Sequence, residues 1–160
     1  MGNGYSLLGF IVIIIVYAGI GLLAAAGTIS SVRKFLGVKA EQIFYALFLL
    51  FFASFYLAFT AYFGVETAWR LETAAVAGFF AIGLLGLRLP LALIVGYSLH
   101  GICDLLHELY AHGAFTGYAA GHLTAIPLAY GTFCAVFDFS LAAYFWTRRT
   151  AWSETPARPQ

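Results

Sequence analysis

An all-α integral membrane bundle of five transmembrane helices, N-terminus outside and C-terminus cytoplasmic, is the fold that the sequence predicts. Three observations lead to it. Of the 160 residues, 62% are hydrophobic and 9% charged, where soluble domains carry about 25% charge. Apolar runs recur at close to the roughly 20 residues that a helix needs to cross hydrocarbon. Lysine and arginine gather on one side of the resulting topology, as the positive-inside rule requires.

The first run covers about Tyr5–Ala26. Met1–Ser6 lacks a basic residue, and the run is long enough to remain a span rather than a cleaved signal. The second covers Ile43–Phe63, the fourth Leu91–Tyr110 and the fifth Leu123–Trp146. Between them, residues 73–88 include a shorter run, Ala74–Leu87, and charge decides whether it spans. With five spans, Arg33, Lys34, Lys39, Arg88, Arg148, Arg149 and Arg158 share the inner side and only Arg70 is outside. With four spans the seven-to-one split becomes five to three, so five is preferred. Arg88-Leu89-Pro90 reads as a tight inner turn, with the proline near the first position of the next helix. Residues 1–152 form one domain without an internal repeat, and residues 153–160 read as a disordered tail. A multi-pass protein of a bacterial cytoplasmic membrane is the expected setting.

The second span carries an aromatic arc. At 100° per residue, Phe44, Tyr45, Phe48, Phe51, Phe52, Phe55, Tyr56, Phe59, Tyr62 and Phe63 fall within about 140°. Ala46, Ala53 and Thr60 stack on the opposite side, where small residues permit close helix approach. The aromatic side is expected to face lipid or a long apolar ligand.

Ionisable residues concentrate in "SLHGICDLLHELYAHG", residues 98–113. His100, Asp104 and His107 lie within about 60° on a helical wheel, and Glu108 widens the stripe to about 100°. The fifth span runs antiparallel and brings Asp138 near the depth of His100, while the outer loop adds His112 and His122. Each such group costs about 2.5–3.5 kcal/mol at mid-helix on insertion scales, so something must compensate. An internal His–Asp hydrogen-bond network, a bound metal and a proton or ion pathway are the three readings. For a metal, His100, Asp104, His107, Glu108, His122 and Asp138 are the candidate ligands. His100 and His107 stand about 10.5 Å apart along the axis, which leaves Asp104 as the pivot between them. Histidine and carboxylate ligands suit zinc, iron or manganese better than copper(I).

The run His100-x3-Asp104-x2-His107, followed by Pro127, Cys134 and Asp138 before an Ala-rich end, resembles a family of small bacterial integral membrane proteins known as a domain of unknown function. The likeness covers about Ser98–Tyr144. In the family pattern a tryptophan precedes the aspartate and two adjacent histidines follow, where this chain has Cys103 and His107-Glu108. The resemblance implies that these polar positions act as a unit and brings no activity with it.

Three functional classes follow: a membrane enzyme acting on a lipid-soluble substrate, a carrier of protons or metal ions, and an accessory subunit whose polar network only packs. In the enzyme reading His100, Asp104 and Asp138 are the catalytic candidates. A net charge of +1 gives no footprint for nucleic acid. Retinal is not expected, because Lys34 and Lys39 lie outside the spans, and haem is not expected for want of a facing histidine. The partners are then the lipid bilayer and a lipid-soluble small molecule.

Overall fold

The computed structural model describes residues 7–112 and 123–154. They form α1 (Leu7–Phe35), α2 (Val38–Phe63), α3 (Trp69–Gly86), α4 (Pro90–His112) and α5 (Tyr130–Ser153), with a short 3-10 turn, Glu66–Ala68, leading into α3. No strand occurs among the described residues. The first four helices are long and apolar enough to cross a membrane, α3 counted with its leading turn. The fifth is 24 residues long but carries Asp138, Arg148 and Arg149 along its length, and is not among those four.

Boundaries differ from the sequence expectation where backbone chemistry overrides hydropathy. Helix α1 runs on past Ala26 to Phe35, since neither proline nor a left-handed glycine interrupts it. Helix α2 begins at Val38 rather than Ile43, directly after Gly37. The largest difference is at the fifth helix, which starts at Tyr130 and not at Leu123. Pro127 supplies no N–H and pushes its predecessor out of helical geometry. Ala129 then takes a left-handed conformation at φ 62, so the helix can begin only after it. The expected outer loop, His122, Arg158 and most of the expected tail lie outside the described residues.

The α4–α5 pair is the most extensively packed, with α1 against the far side of α5 and α3 between α2 and α4. Ala46, Ala53 and Thr60 of α2 are fully buried, as the small-residue stripe requires. The aromatic arc divides. Phe51 and Tyr62 are exposed, whereas Tyr45 and Tyr56, at the edge of the arc nearest the small residues, are buried.

One end of the bundle is tied by Glu41. Its carboxylate accepts from Tyr144 Oη, from Arg148 Nη2 at 2.8 Å and Nε at 3.2 Å, and from Trp152 Nε1 at 3.0 Å. Beside it, Gln42 Nε2 donates to Gly86 O at 2.7 Å and Lys39 Nζ to Leu87 O at 2.8 Å. These bonds occupy carbonyls at the end of α3 that have no partner within the helix. The described basic residues Arg33, Lys34, Lys39, Arg88, Arg148 and Arg149 all belong to this end, and Arg70 to the other.

Gly131 permits the close approach of α5 to α4. A Cβ there would sit 2.3 Å from Asp104 O and 2.8 Å from the Cβ of Glu108. At Gly78 an added Cβ meets nothing within 4 Å. Gly131→Ala is therefore expected to destabilise by about 1–3 kcal/mol, as overpacking does. Gly78→Ala should match or exceed wild type in helix stability. Thermal unfolding of the two variants in detergent checks the contrast, and equal melting temperatures would contradict this packing.

Candidate intramembrane site

Helix α4 supplies most of the site. Its residues 100, 104, 107 and 108 recur at helical spacing, so all four turn to the bundle interior, each no more than 4% exposed. His100 lies near the middle of α4, about 16 Å from either end at 1.5 Å per residue. From α5, Asp138 reaches across the close α4–α5 contact.

His100 Nδ1 is 2.7 Å from Asp138 Oδ2 and 3.1 Å from Asp104 Oδ2. One ring N–H cannot serve both carboxylates. It bonds to Asp138, and Asp104 Oδ2 is left within ion-pair distance but without a hydrogen bond. The other ring nitrogen, Nε2, is buried with no partner at all. Asp104 Oδ1, in contrast, accepts from Tyr56 Oη at 2.8 Å. A cavity of about 10 Å³, room for roughly one water, adjoins these groups. His100, Asp104 and Asp138 line it together with Tyr56, Phe52 and Phe55 of α2 and with Tyr130, Phe133, Cys134 and Phe137 of α5.

The other two expected ligands on α4 face elsewhere. His107 Nδ1 donates to Cys103 O at 2.7 Å, the only role a carbonyl partner allows. Its Nε2 lies 2.9 Å from Glu72 Oε1 of α3. Both ring nitrogens thus face acceptors, so the His107–Glu72 contact must itself contain a proton. Glu108 Oε1 accepts from Ala129 N at 2.8 Å and Oε2 from Gly131 N at 2.9 Å, at the start of α5. This carboxylate meets the free N–H groups and positive end of a helix.

The structure therefore brings His100, Asp104 and Asp138 together, with ligand atoms all within 4.8 Å of one another. It directs His107 to Glu72 and Glu108 to the backbone of α5. His122 lies outside the described residues, and so does the side chain of His112. Two residues join the site that the sequence did not single out. Tyr56 read as one more ring of the aromatic arc, although its position beside Ala53 and Thr60 was the available signal. Glu72 lies just ahead of the short third run, where hydropathy assigns it no role. Tyr56 also stacks on both imidazoles, 5.1 Å from His100 at 18° and 4.6 Å from His107 at 11°.

The chain matches no known family, curated protein or solved structure. Chemistry alone must carry the reading of this cluster.

Glu72 Oε1 also accepts from Thr124 N at 2.8 Å, so one carboxylate holds both His107 and the segment leading to α5. Glu72→Ala would orphan a buried ring nitrogen and a buried backbone N–H. Its expected cost is about 3–5 kcal/mol, the range for breaking a buried pair. Glu72→Gln keeps a carbonyl oxygen for Thr124 and should lose less. Denaturation of the three proteins in detergent ranks them, and an Ala variant as stable as the Gln variant would contradict these roles.

Proposed function

We propose that His100, Asp104 and Asp138 hold one divalent metal ion, zinc, iron or manganese, and that the protein uses it on a lipid-soluble substrate within the membrane. The observation that carries this reading is the convergence of three buried ligand-type side chains, two of them with polar atoms that no protein group satisfies. No lysine or arginine is among the residues lining the cavity. A tetrahedral ion with bonds of about 2.1 Å would separate its ligand atoms by about 3.4 Å. The present separations of 2.7 and 3.1 Å would then widen by less than about 1 Å. Three protein ligands leave a fourth position open, the pattern of catalytic rather than closed structural sites. A bound ion would supply Lewis acidity, polarising a carbonyl or phosphoryl oxygen of the substrate. The phenylalanines of α2 and α5 around the cavity favour an apolar molecule arriving from lipid.

A metal-free version of the same chemistry is favoured by one observation. Asp138 engages Nδ1 and leaves Nε2 free beside the cavity, an arrangement suited to moving a proton in an isomerisation.

Elemental analysis of the protein purified in detergent separates these readings, and one zinc, iron or manganese per chain is expected. Asp104→Asn keeps the shape but removes the charge that offsets the ion, so metal content should collapse and the melting temperature should fall. A metal-free wild type whose Asp104→Asn variant melts no lower would leave the cluster a packing network, since removing a buried charge then stabilises.

The same proposal includes five spans with the N-terminus outside and the basic end of the bundle cytoplasmic. A cysteine at the exposed Glu66, between α2 and α3, should react with an impermeant maleimide added to intact cells. Labelling only after lysis would reverse the orientation.

A further inference from the structure

We infer that Tyr56 is a specificity-determining residue, restricting Asp104 to a single coordinating oxygen and so selecting small ions of low coordination number. The inference rests on the reading of His100, Asp104 and Asp138 as a metal site. Its starting point is the asymmetry of the Asp104 carboxylate. Oδ1 accepts the Tyr56 hydroxyl at 2.8 Å, while Oδ2 has no hydrogen bond and points at His100. A cation reached by both oxygens would have to approach the positive end of the Tyr56 O–H dipole, which a cation avoids.

The phenol cannot easily turn aside. Its ring is 2% exposed and held between two imidazoles, parallel to within 18° of one and 11° of the other. The hydroxyl is thus fixed by ring packing rather than by the hydrogen bond alone. Tyr56 lines the cavity from α2, together with Asp104 of α4 and Asp138 of α5. With Asp104 held to one oxygen the cluster offers too few oxygens for calcium, which takes 6–8. A tetrahedral ion with one open position fits three single contacts.

Tyr56→Phe is the informative variant, because it keeps both stacks and deletes only the hydroxyl. Cobalt(II) is the probe, since its visible spectrum distinguishes four from six ligands. Wild type loaded with cobalt is expected to give the intense bands of four-coordination, unaffected by excess calcium. In Tyr56→Phe the bands should weaken and shift as Asp104 becomes bidentate, with affinity lowered about 10–100-fold, as for other groups that orient a ligand. An unchanged spectrum and affinity in Tyr56→Phe would overturn the role of Tyr56 while leaving the metal site intact. A six-coordinate spectrum in wild type would overturn it as well, and this measurement decides the matter should the variant not fold. A wild type that binds neither cobalt nor zinc would remove the metal site and this inference together.

Discussion

An ionised carboxylate cannot remain in a helix bundle without donors, and five acidic side chains are buried here: Glu41, Glu72, Asp104, Glu108 and Asp138. Their needs organise the molecule. At the basic end, Glu41 gathers a tyrosine, an arginine and a tryptophan from α5, which fixes α5 against α2. At the other end, Glu72 and Glu108 take donors from His107 and from backbone N–H groups. Between these two satisfied layers lies the pair Asp104 and Asp138, sharing one imidazole and one phenol. Glu41, Glu72 and Glu108 each hold at least two hydrogen-bonding partners from other parts of the bundle.

The break before α5 explains why so many acids occur at one depth. Non-helical backbone in a membrane protein survives only where protein surrounds it and supplies its hydrogen bonds. Thr124, Ile126 and Ala129 are all buried, and N–H groups of Thr124, Ala129 and Gly131 end on glutamate oxygens. Glu72 and Glu108 thus act as side-chain substitutes for the missing turn of helix. Because each glutamate grips a separate helix as well as this segment, α3, α4 and α5 are held in register around the central cluster.

Much of this was legible in the sequence, and the remainder was hidden for definite reasons. Helical spacing alone placed His100, Asp104, His107 and Glu108 on one buried face, and antiparallel topology brought Asp138 to His100. Periodicity does not encode which residue of a neighbouring helix meets that face. A wheel that treats His100 and His107 as equivalent cannot know that α3 offers Glu72 to one and α5 offers Asp138 to the other. Tyr56 was hidden by composition, since a ring among nine other aromatic residues of one helix carries no sign of its hydroxyl's partner. The start of α5 was misjudged because hydropathy reads Leu123–Ala129 as span, whereas Pro127 and the left-handed Ala129 decide the backbone.

Charge balance gives the central cluster its direction. Asp104 and Asp138 bring two negative charges, and His100 supplies at most one positive; the phenol of Tyr56 donates a hydrogen bond without charge. Full ionisation would therefore leave an excess negative charge in a medium where an isolated charge costs many kcal/mol. The layer of Glu72 and Glu108 offers no surplus, because His107 is committed to Glu72. Two ways of closing the balance remain: an extra proton shared by the carboxylates, or a cation. A proton shared by the carboxylates would satisfy the charge, and it leaves His100 Nε2 without a partner just as an ion held at Nδ1 would. A divalent ion between two ionised carboxylates and a neutral imidazole, as proposed above, would bring the sum to zero and would engage the unpaired Asp104 oxygen. The cavity that His100, Asp104 and Asp138 line has room for about one water beside them.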